Sequence, residues 1–551
     1  NNLCQDLTLK FQDGTYTAQG VSPNADDYVI TFEGLNGANS DVTLVGDLAI
    51  DAFGNIQGVV FRNLTIIDEA GSGSNLLKFE DVTDVTLENV TVVCEPGLTS
   101  RAILLNNVNS ATIENCTVTG NTVGVLFVNT GAEDSLIVRN SSFFSETGKG
   151  FDIDNSIHYI EFEDNVMDVF NHAIDYSHSS PYIILRNNRF RNHNTFELVD
   201  IPGNFNAEDA LSIIENNVFH GVGGLLVTNG NFLIRNNVFY SDYEFSVDYQ
   251  IWSSPSQSQW EPSIDMELVN NIFLARGNPR ILNAPNPEQA NINFVSDYNV
   301  FYAETDNWFN IEPEWGVSPL EQWQEYMGVD MSSIVVEATL DLDDWLKPAV
   351  TVQNFPFFNY ASLESAPALD IDGNARVGES VAAGPYAIET VAFDGGIFEI
   401  LWQSECQGDQ DFYAIVGNSG TQPLTSFQID WELGGVAQAP YQFSGQINSL
   451  DSDTLLLGTI NFDAPTTTEV FAQLSELNGS SDPFPANDAI TEPVEISTLN
   501  AIMSVGPGMQ YASLAEVQSV LQSQPMCGPM EVVLEPGEYS IAFMNWTLFD
   551  E

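Results

Sequence analysis

Between Val59 and Tyr302 apolar and polar positions alternate in short runs that break at one residue and resume in shifted phase. In "VTLENVTV", Val85 and Leu87 precede Asn89, and Val90 and Val92 follow it. Alternation with period two is the mark of a strand with one buried face. A phase shift that keeps both runs apolar means the chain turns a corner without leaving the core. The same pattern (apolar, variable, Asn, polar or Asn, variable, aromatic) recurs in "VRNSSFF", "LRNNRFR", "IENNVFH", "IRNNVFY" and "LVNNIFL", which begin at Val138, Leu185, Ile214, Ile234 and Leu268. Aligned through the chain, its corner falls at Asn63, Asn89, Asn115, Asn140, Asp164, Asn187, Asn216, Asn236, Asn270 and Tyr298, at steps of 20 to 34 residues. A period of that size marks a solenoid with one supersecondary unit per turn.

Asparagine suits the corner because, glycine aside, it is among the residues that best tolerate left-handed backbone. Coils stacked about 4.8 Å apart would place these amides in a ladder, with Phe143, Phe190, Phe219, Phe239, Phe273 and Phe301 stacked beside it. The expected fold is all-β, beginning with a right-handed parallel β-helix of ten or more coils. Propeller blades need about 40 or more residues each, and the leucine consensus of a leucine-rich repeat is missing. The β-helix is placed at residues 1–391, with a C-terminal cap at 302–391.

Beyond residue 391 the pattern ends. Short alternating runs with turn residues between them, such as "DFYAIVGNSG" and "SFQIDWELGG", predict an antiparallel β-sandwich over 392–497. There Phe427, Ile429 and Trp431 would face the core and Gln428 and Asp430 the solvent. A longer repeat links the two ends. "CQDLTLKFQDGTYT" at Cys4 and "CGPMEVVLEPGEYS" at Cys527 share a Gly (Gly14, Gly537) and a Tyr (Tyr16, Tyr539) at one offset of 523 residues. Residues 498–551 are therefore expected to begin a second β-helix. Its capping helix would open with a Ser513–Glu516 capping box and bury Leu514, Val517 and Leu521. On this reading the chain is a piece of a longer polypeptide carrying further copies of the unit.

Composition narrows the function. The chain has 551 residues, 77 acids and 14 bases, a formal charge of −63, and no Lys or Arg after Arg376. Such a surface repels nucleic acid and anionic lipid and suits salt water, where screening reduces self-repulsion. No stretch is apolar enough to span a membrane. Five cysteines without a CxxC pair make neither a zinc site nor a dense disulfide framework. Cys406 with Cys527 is the one candidate disulfide, and Cys94 and Cys116 are expected to fill small buried spaces.

Candidate chemistry is sparse. All five histidines lie between His158 and His220, and His172, Tyr176, His178, Arg186, Arg189 and Arg191 fall on neighbouring coils. That patch would grip or cleave an acidic glycan, with Tyr176 or a histidine as base and Arg189 neutralising a carboxylate. The competing reading is arginines that pair the excess acid. "DIDGN" offers Asp370, Asp372 and Asn374 as oxygen ligands for calcium, or as a simple turn. No other cofactor is expected. Trp252, Trp260, Trp308 and Trp315 would serve a glycan-binding flank or, alternatively, fill the C-terminal cap.

On the corner pattern and "LTLKFQDGTY" (Leu7–Tyr16), residues 1–390 resemble the pectin-lyase-like superfamily of parallel β-helices. "SAPALDIDGNARVGESVAAGPYAIE" (Ser365–Glu389) resembles the closing segment of such domains in large secreted proteins of the Bacteroidota. The Gly-His-Gly and Arg-x-Lys of the galacturonases of that fold are absent. "VGNSGTQPLTSFQIDW" resembles the immunoglobulin-like modules that space domains of Bacteroidota surface proteins. In architecture and acidity the chain is similar to the grappling-hook appendage proteins of predatory filamentous marine bacteria. These resemblances imply an extracellular, cell-surface, structural and adhesive role, export by the type 9 system, and assembly into a homo-oligomeric filament. The partner would be a ligand on another cell or a glycan. A polysaccharide lyase or hydrolase, and a non-catalytic glycan-binding module, are the rival expectations.

Overall fold

The computed structural model describes residues 6–17, 28–39, 41–68, 75–94, 101–128, 134–154, 157–176, 182–194, 198–201, 211–221, 224–227, 230–241, 249–253, 264–275, 280–284, 292–303, 309–311, 320–336, 343, 345–347, 361–362, 364–376, 382–387, 392–402, 406–420, 422–449, 451–480, 482, 487–496, 502–517 and 531–536. The chain divides into two compact units, Asn1–Ala349 with Pro356–Glu389, and Val350–Phe355 with Thr390–Glu551.

The first unit is a parallel β-solenoid of about 13 turns. Each coil contributes to three parallel sheets. Sheet A holds the strands before the corner, such as Ser135–Arg139, Tyr159–Glu163 and Tyr182–Arg186. Sheet B holds those after it, such as Ser142–Ser145, Val166–Val169 and Arg189–Asn192. Sheet C holds the third side, such as Val123–Val128, Lys149–Asp154 and Ile174–Tyr176. The corner residue is left-handed at every position read from the sequence: φ is 57° at Asn63, 54° at Asn89 and Asn115, 48° at Asn140, 55° at Asn187, 56° at Asn216, 53° at Asn236 and 58° at Asn270. Asp164 and Tyr298 take the same conformation at 56° and 55°. Val85, Leu87, Val90 and Val92 are all buried, as the phase shift requires.

The continuous ladder is not made by the corner residue. Corner amides bond in pairs, Asn89 to Asn63 at 2.8 Å, Asn216 to Asn187 at 3.2 Å and Asn270 to Asn236 at 3.3 Å. The unbroken run is one residue later: Asn165, Asn188, Asn217, Asn237, Asn271 and Asn299, each 0% exposed. From Asn165 to Asn271 the backbone N–H and the side-chain amide both donate to the next Oδ1, as when Asn188 meets Asn217 at 2.9 and 3.0 Å. The same amide also donates back to a backbone carbonyl, Phe162 O at 2.8 Å for Asn188. Every polar atom of a buried amide is thus used, and the bonds point one way and reinforce one another. Ser141 and Ser333 extend the run at its two ends. The aromatic stack also differs from expectation. Phe190, Phe219, Phe239, Phe273 and Phe301 stack with centroids 4.6 to 5.3 Å apart. Phe143 is separated from them by Met167, which occupies the coil between, and packs edge-on against Phe151 instead.

At its C-terminal end the core is covered by the helix Leu320–Met327, which buries Leu320 and Trp323. The Trp323 indole N–H donates to Asp330 Oδ2 at 2.8 Å, and Asp330 also accepts from Ser333 and Asn299. The side chains of Trp252, Trp260, Trp308 and Trp315, expected in the cap or on a glycan-binding flank, lie outside the described residues. Cys94 and Cys116 are free and buried, as expected.

In the second unit two antiparallel sheets share one apolar core. One sheet contains Gly395–Trp402, Gly408–Asn418 and Ser452–Phe462. The other is built on Leu424–Leu433 with Tyr441–Ile447, Thr466–Ser475 and Ala489–Ile496. Phe427, Ile429 and Trp431 are buried in that core. Cys406 is engaged in a disulfide, and Cys527, its expected partner, lies outside the described residues. Farther on, Ile502–Val505 pairs in parallel with Glu531–Leu534. One half of the expected Ser513–Glu516 capping box is present, with Glu516 N–H donating to Ser513 Oγ at 3.3 Å, while Glu516 Oε2 accepts from the preceding Ala512 N–H at 2.8 Å. Leu514–Val517 is helical and Val517 is buried, whereas Leu521 lies outside the described residues.

Candidate functional site

Of the site residues proposed from sequence, Arg189 and Arg191 lie on the outer face of sheet B. Strand parity decides which side chains reach it. In Arg189–Asn192 the arginines point out and Phe190 and Asn192 point in. In Ile174–Tyr176 the parity is reversed: Asp175 faces out and Tyr176 faces the core, 0% exposed, its oxygen accepting the Ile157 N–H at 3.2 Å. Tyr176 is therefore a core residue, out of reach of any substrate on the flank. His172 is half-buried in the connection between sheets B and C. His178 lies outside the described residues.

The arginines are committed to partners. Arg189 pairs with Asp372 at 2.6 Å, and Lys347 meets the other oxygen of the same carboxylate at 3.0 Å. Arg191 lies 4.4 Å over the Trp345 ring and reaches Asp168 at 3.8 Å. His193 bonds the second Asp168 oxygen at 2.7 Å. Arg186 stands in an alternating column on sheet A, where Arg139, Glu163, Arg186, Glu215 and Arg235 occupy successive coils. Glu215 is buried between Arg186 at 2.5 Å and Arg235 at 2.7 Å. The competing sequence reading, arginines that neutralise acid, describes Arg186, Arg189 and Arg191.

Asp372 belongs to a strap that runs back along the corner. Ser362 N–H donates to Asn270 Oδ1 at 2.7 Å, and the Asn270 amide returns a bond to Ser362 O at 2.8 Å. Gly384 N–H donates to Asn270 O, and the Asn236 amide reaches Gly384 O at 3.2 Å. Asn216 donates to Leu369 O at 2.8 Å and accepts from the buried Arg376 at 3.1 Å. Arg376 also holds the carbonyls of Ala382, Gly384 and Tyr386. Burial lowers its pKa to about 10, which leaves it charged at neutral pH. Gly384 has φ 77°, a backbone conformation that favours glycine, and a Cβ there would press on the end of the Ile272 side chain at 2.6 Å.

The strap explains Asp370, Asp372 and Asn374. Asp370 is buried, and its two oxygens accept from the N–H groups of Asp372, Asn374 and Ala387 and from the Asn374 amide. Asp372 is held by Arg189 and Lys347. The motif is a turn closed on itself and on two cations, so a calcium ion would compete with existing bonds for both carboxylates. Among the described residues no three His, Cys, Asp or Glu side chains stand together as a metal site.

Sequence reasoning missed the strap, though one signal was present. The outward sheet B column reads Thr65, Thr91, Thr117 and Ser142 in early coils, then Val218, Val238, Ile272 and Val300 in late ones. Those four apolar residues are at most 2% exposed. An outward column turning apolar announces a cover.

No family model matches the chain, and no curated protein matches it. Among solved structures, the crystal structure of a CARDB domain from Pyrococcus furiosus in complex with di-metal ions is 15% identical, covers 19% of this chain and 89% of its own, and gives a TM-score of 0.17. A solution structure of the same domain is 13% identical over 19% of this chain and 93% of its own, with a TM-score of 0.15. At those scores neither likeness carries an argument.

Proposed function

We propose that this chain is a structural and adhesive segment of a very large extracellular surface protein, a rod unit that helps hold one cell against another cell or a glycan. One observation carries the reading: among the described residues of the solenoid flank, Arg189, Arg191 and His193 are bound to carboxylates or to the strap, and the base candidate Tyr176 lies in the core. Stacked coils bury each other's faces, so such a rod can be extended with little change in stability per coil. The second unit, in this reading an immunoglobulin-like sandwich, is the spacer between rods. The 523-residue offset between Cys4 and Cys527 supports further copies of the unit in one longer chain. So does Glu531–Leu534, which is the offset counterpart of Thr8–Phe11 and, like it, pairs in parallel. The acidic surface supports an outside, saline setting.

The test is immunogold electron microscopy of intact cells with an antibody against this segment. The reading expects label at regular intervals along surface filaments. Label dispersed in the medium, with no filament, would overturn it.

A further inference from the structure

The first coil of the solenoid presents a strand edge. Among the described residues, Leu7–Phe11 pairs with one strand, Val29–Gly34 of the second coil. Leu9 lies in register with Phe32 and so belongs to the inward-facing set, yet it is 39% exposed where Phe32 is 5% exposed. Phe11 O accepts the Leu35 N–H, so that residue's backbone faces the second coil. By alternation the N–H groups of Thr8, Lys10 and Gln12 face the opposite side. A row of backbone donors beside an exposed core side chain is a template for one more strand.

The second unit shows what fits such an edge. At the 523-residue offset, Thr8–Phe11 corresponds to Glu531–Leu534, whose parallel partner is Ile502–Val505. The register sets Met503 beside Val532 and Val505 beside Leu534, the counterparts of Leu9 and Phe11. Glu535 N–H, the counterpart of Gln12 N–H, donates to Val505 O at 3.0 Å. Parity therefore agrees at every position: apolar over apolar on the inward side. Met503 and Val505 are fully buried, packed with Val517, and Tyr511 and Leu514 lie against them. Residues 502–517 thus supply a strand to pair with and their own apolar cover over it, as the end cap of a stacked array must. Charge permits the contact as well. Residues 502–517 carry one charged side chain, Glu516, and Leu7–Phe11 carries one, Lys10. On a chain of formal charge −63 these are surfaces that can meet without like-charge repulsion.

We propose that the Leu7–Phe11 edge is a docking site for residues 502–517 of a second copy of this unit. Met503 of that copy would lie beside Leu9 and Val505 beside Phe11, and Gln12 N–H would donate to Val505 O, so that recognition runs through main-chain pairing with apolar anchors. The inference rests on the reading that copies of the unit follow one another, and it adds how they join: the segment after one second unit closes the solenoid of the next.

The test places residues 498–523 of this sequence directly ahead of Asn1 in the full chain, which keeps the spacing that separates Ile502 from Glu531. Hydrogen exchange and thermal unfolding are compared for the chain, the grafted chain, and a grafted chain with Met503→Asp and Val505→Asp in the added copy alone. The proposal expects the amides of Thr8, Lys10 and Gln12 to exchange about tenfold more slowly or better in the grafted chain, with a higher melting temperature for the first unit. The Asp-bearing graft should give neither. The resident pair Ile502–Val505 with Glu531–Leu534 is the internal reference and should be equally protected in all three chains. Unchanged exchange at residues 8–12 in the grafted chain, with the reference pair intact, would overturn the proposal. So would equal protection by the Asp-bearing graft, since any added length would then cover the edge. Neither result bears on the filament reading, which stands or falls on the labelling of cells.

Discussion

The early coils, cornered at Asn63 to Asn140, and the late coils, cornered at Asn216 to Asn270, are written in the same pattern and differ in what touches them. In the early coils the corner asparagine is half-buried or exposed, the ladder position holds Leu64, Val90, Cys116 or Ser141, and the outward column of sheet B is Thr or Ser. In the late coils the corner asparagine is at most 2% exposed, the ladder position is always Asn, and the outward column is Val or Ile beneath the strap. The six letters set the backbone path in both. The doubled asparagine and the apolar column are additions that belong to a covered flank.

This comparison can be broken at four points. The largest effect is expected from Asn237→Ala. It strips an acceptor from the Asn217 N–H and amide, and a donor from Ile214 O and Asn271 Oδ1, all buried. It should cost about 4 kcal/mol or more, since each orphaned group costs about 1–3. Ser141→Ala, its early counterpart, affects only the Cys116 N–H and Arg139 O and should cost about 1–2 kcal/mol. Urea unfolding followed by circular dichroism measures both; equal losses would erase the distinction between the two regions.

Next comes the strap. Arg376→Gln breaks a buried guanidinium's bonds to three strap carbonyls and to Asn216. A loss of about 3 kcal/mol is expected for a broken buried charge network. Binding of a hydrophobic dye should rise as Val218, Val238 and Ile272 are uncovered, and an unchanged dye signal would mean the strap stays in place without its arginine.

A smaller effect separates the columns. Val238→Thr should cost about 1–2 kcal/mol by placing a hydroxyl under the strap, whereas Thr91→Val on the open flank should stay within about 0.5 kcal/mol. Thermal melts of the two variants decide it.

The smallest is a pH effect at the capped end. Burial raises the Asp330 carboxyl above its ordinary range. The folded chain therefore keeps that proton to higher pH than the unfolded chain does. Its contribution to stability is full below the ordinary carboxylate pKa and is lost as pH rises through the raised value. Relative to Asp330→Asn, the wild type should lose stability across that window and level off above it. Parallel curves for the two proteins would deny the shift.

Much of this was legible in the letters because the features concerned are local. A left-handed corner restricts residue type by sterics alone, so spacing alone located Asn63 through Asn270. Strand parity in "SFQIDW" gave Phe427, Ile429 and Trp431 their core positions for the same reason. The bond from Glu516 N–H to Ser513 Oγ is likewise confined to one helical turn. What escaped depends on register or on distance along the chain. Phe143 looks like a member of the stack until the register puts Met167 between it and Phe190. Tyr176 looks available until parity in its own three-residue strand turns it inward. The strap joins residues 92 to 183 apart, Asn270 with Ser362 and Arg189 with Asp372, and no local pattern encodes such a pairing. The second asparagine was visible in each "NN", but only stacking reveals that it, and not the corner, makes the continuous ladder.

The account holds that the solenoid flank builds and does not cut. The most direct measurement is to incubate the full chain with uronate-rich and neutral polysaccharides, with calcium present, and to follow new reducing ends and the ultraviolet absorbance of unsaturated uronate. The account predicts no product from wild type under any of these conditions. Product that forms with wild type and disappears in Arg189→Ala or His172→Ala would contradict it.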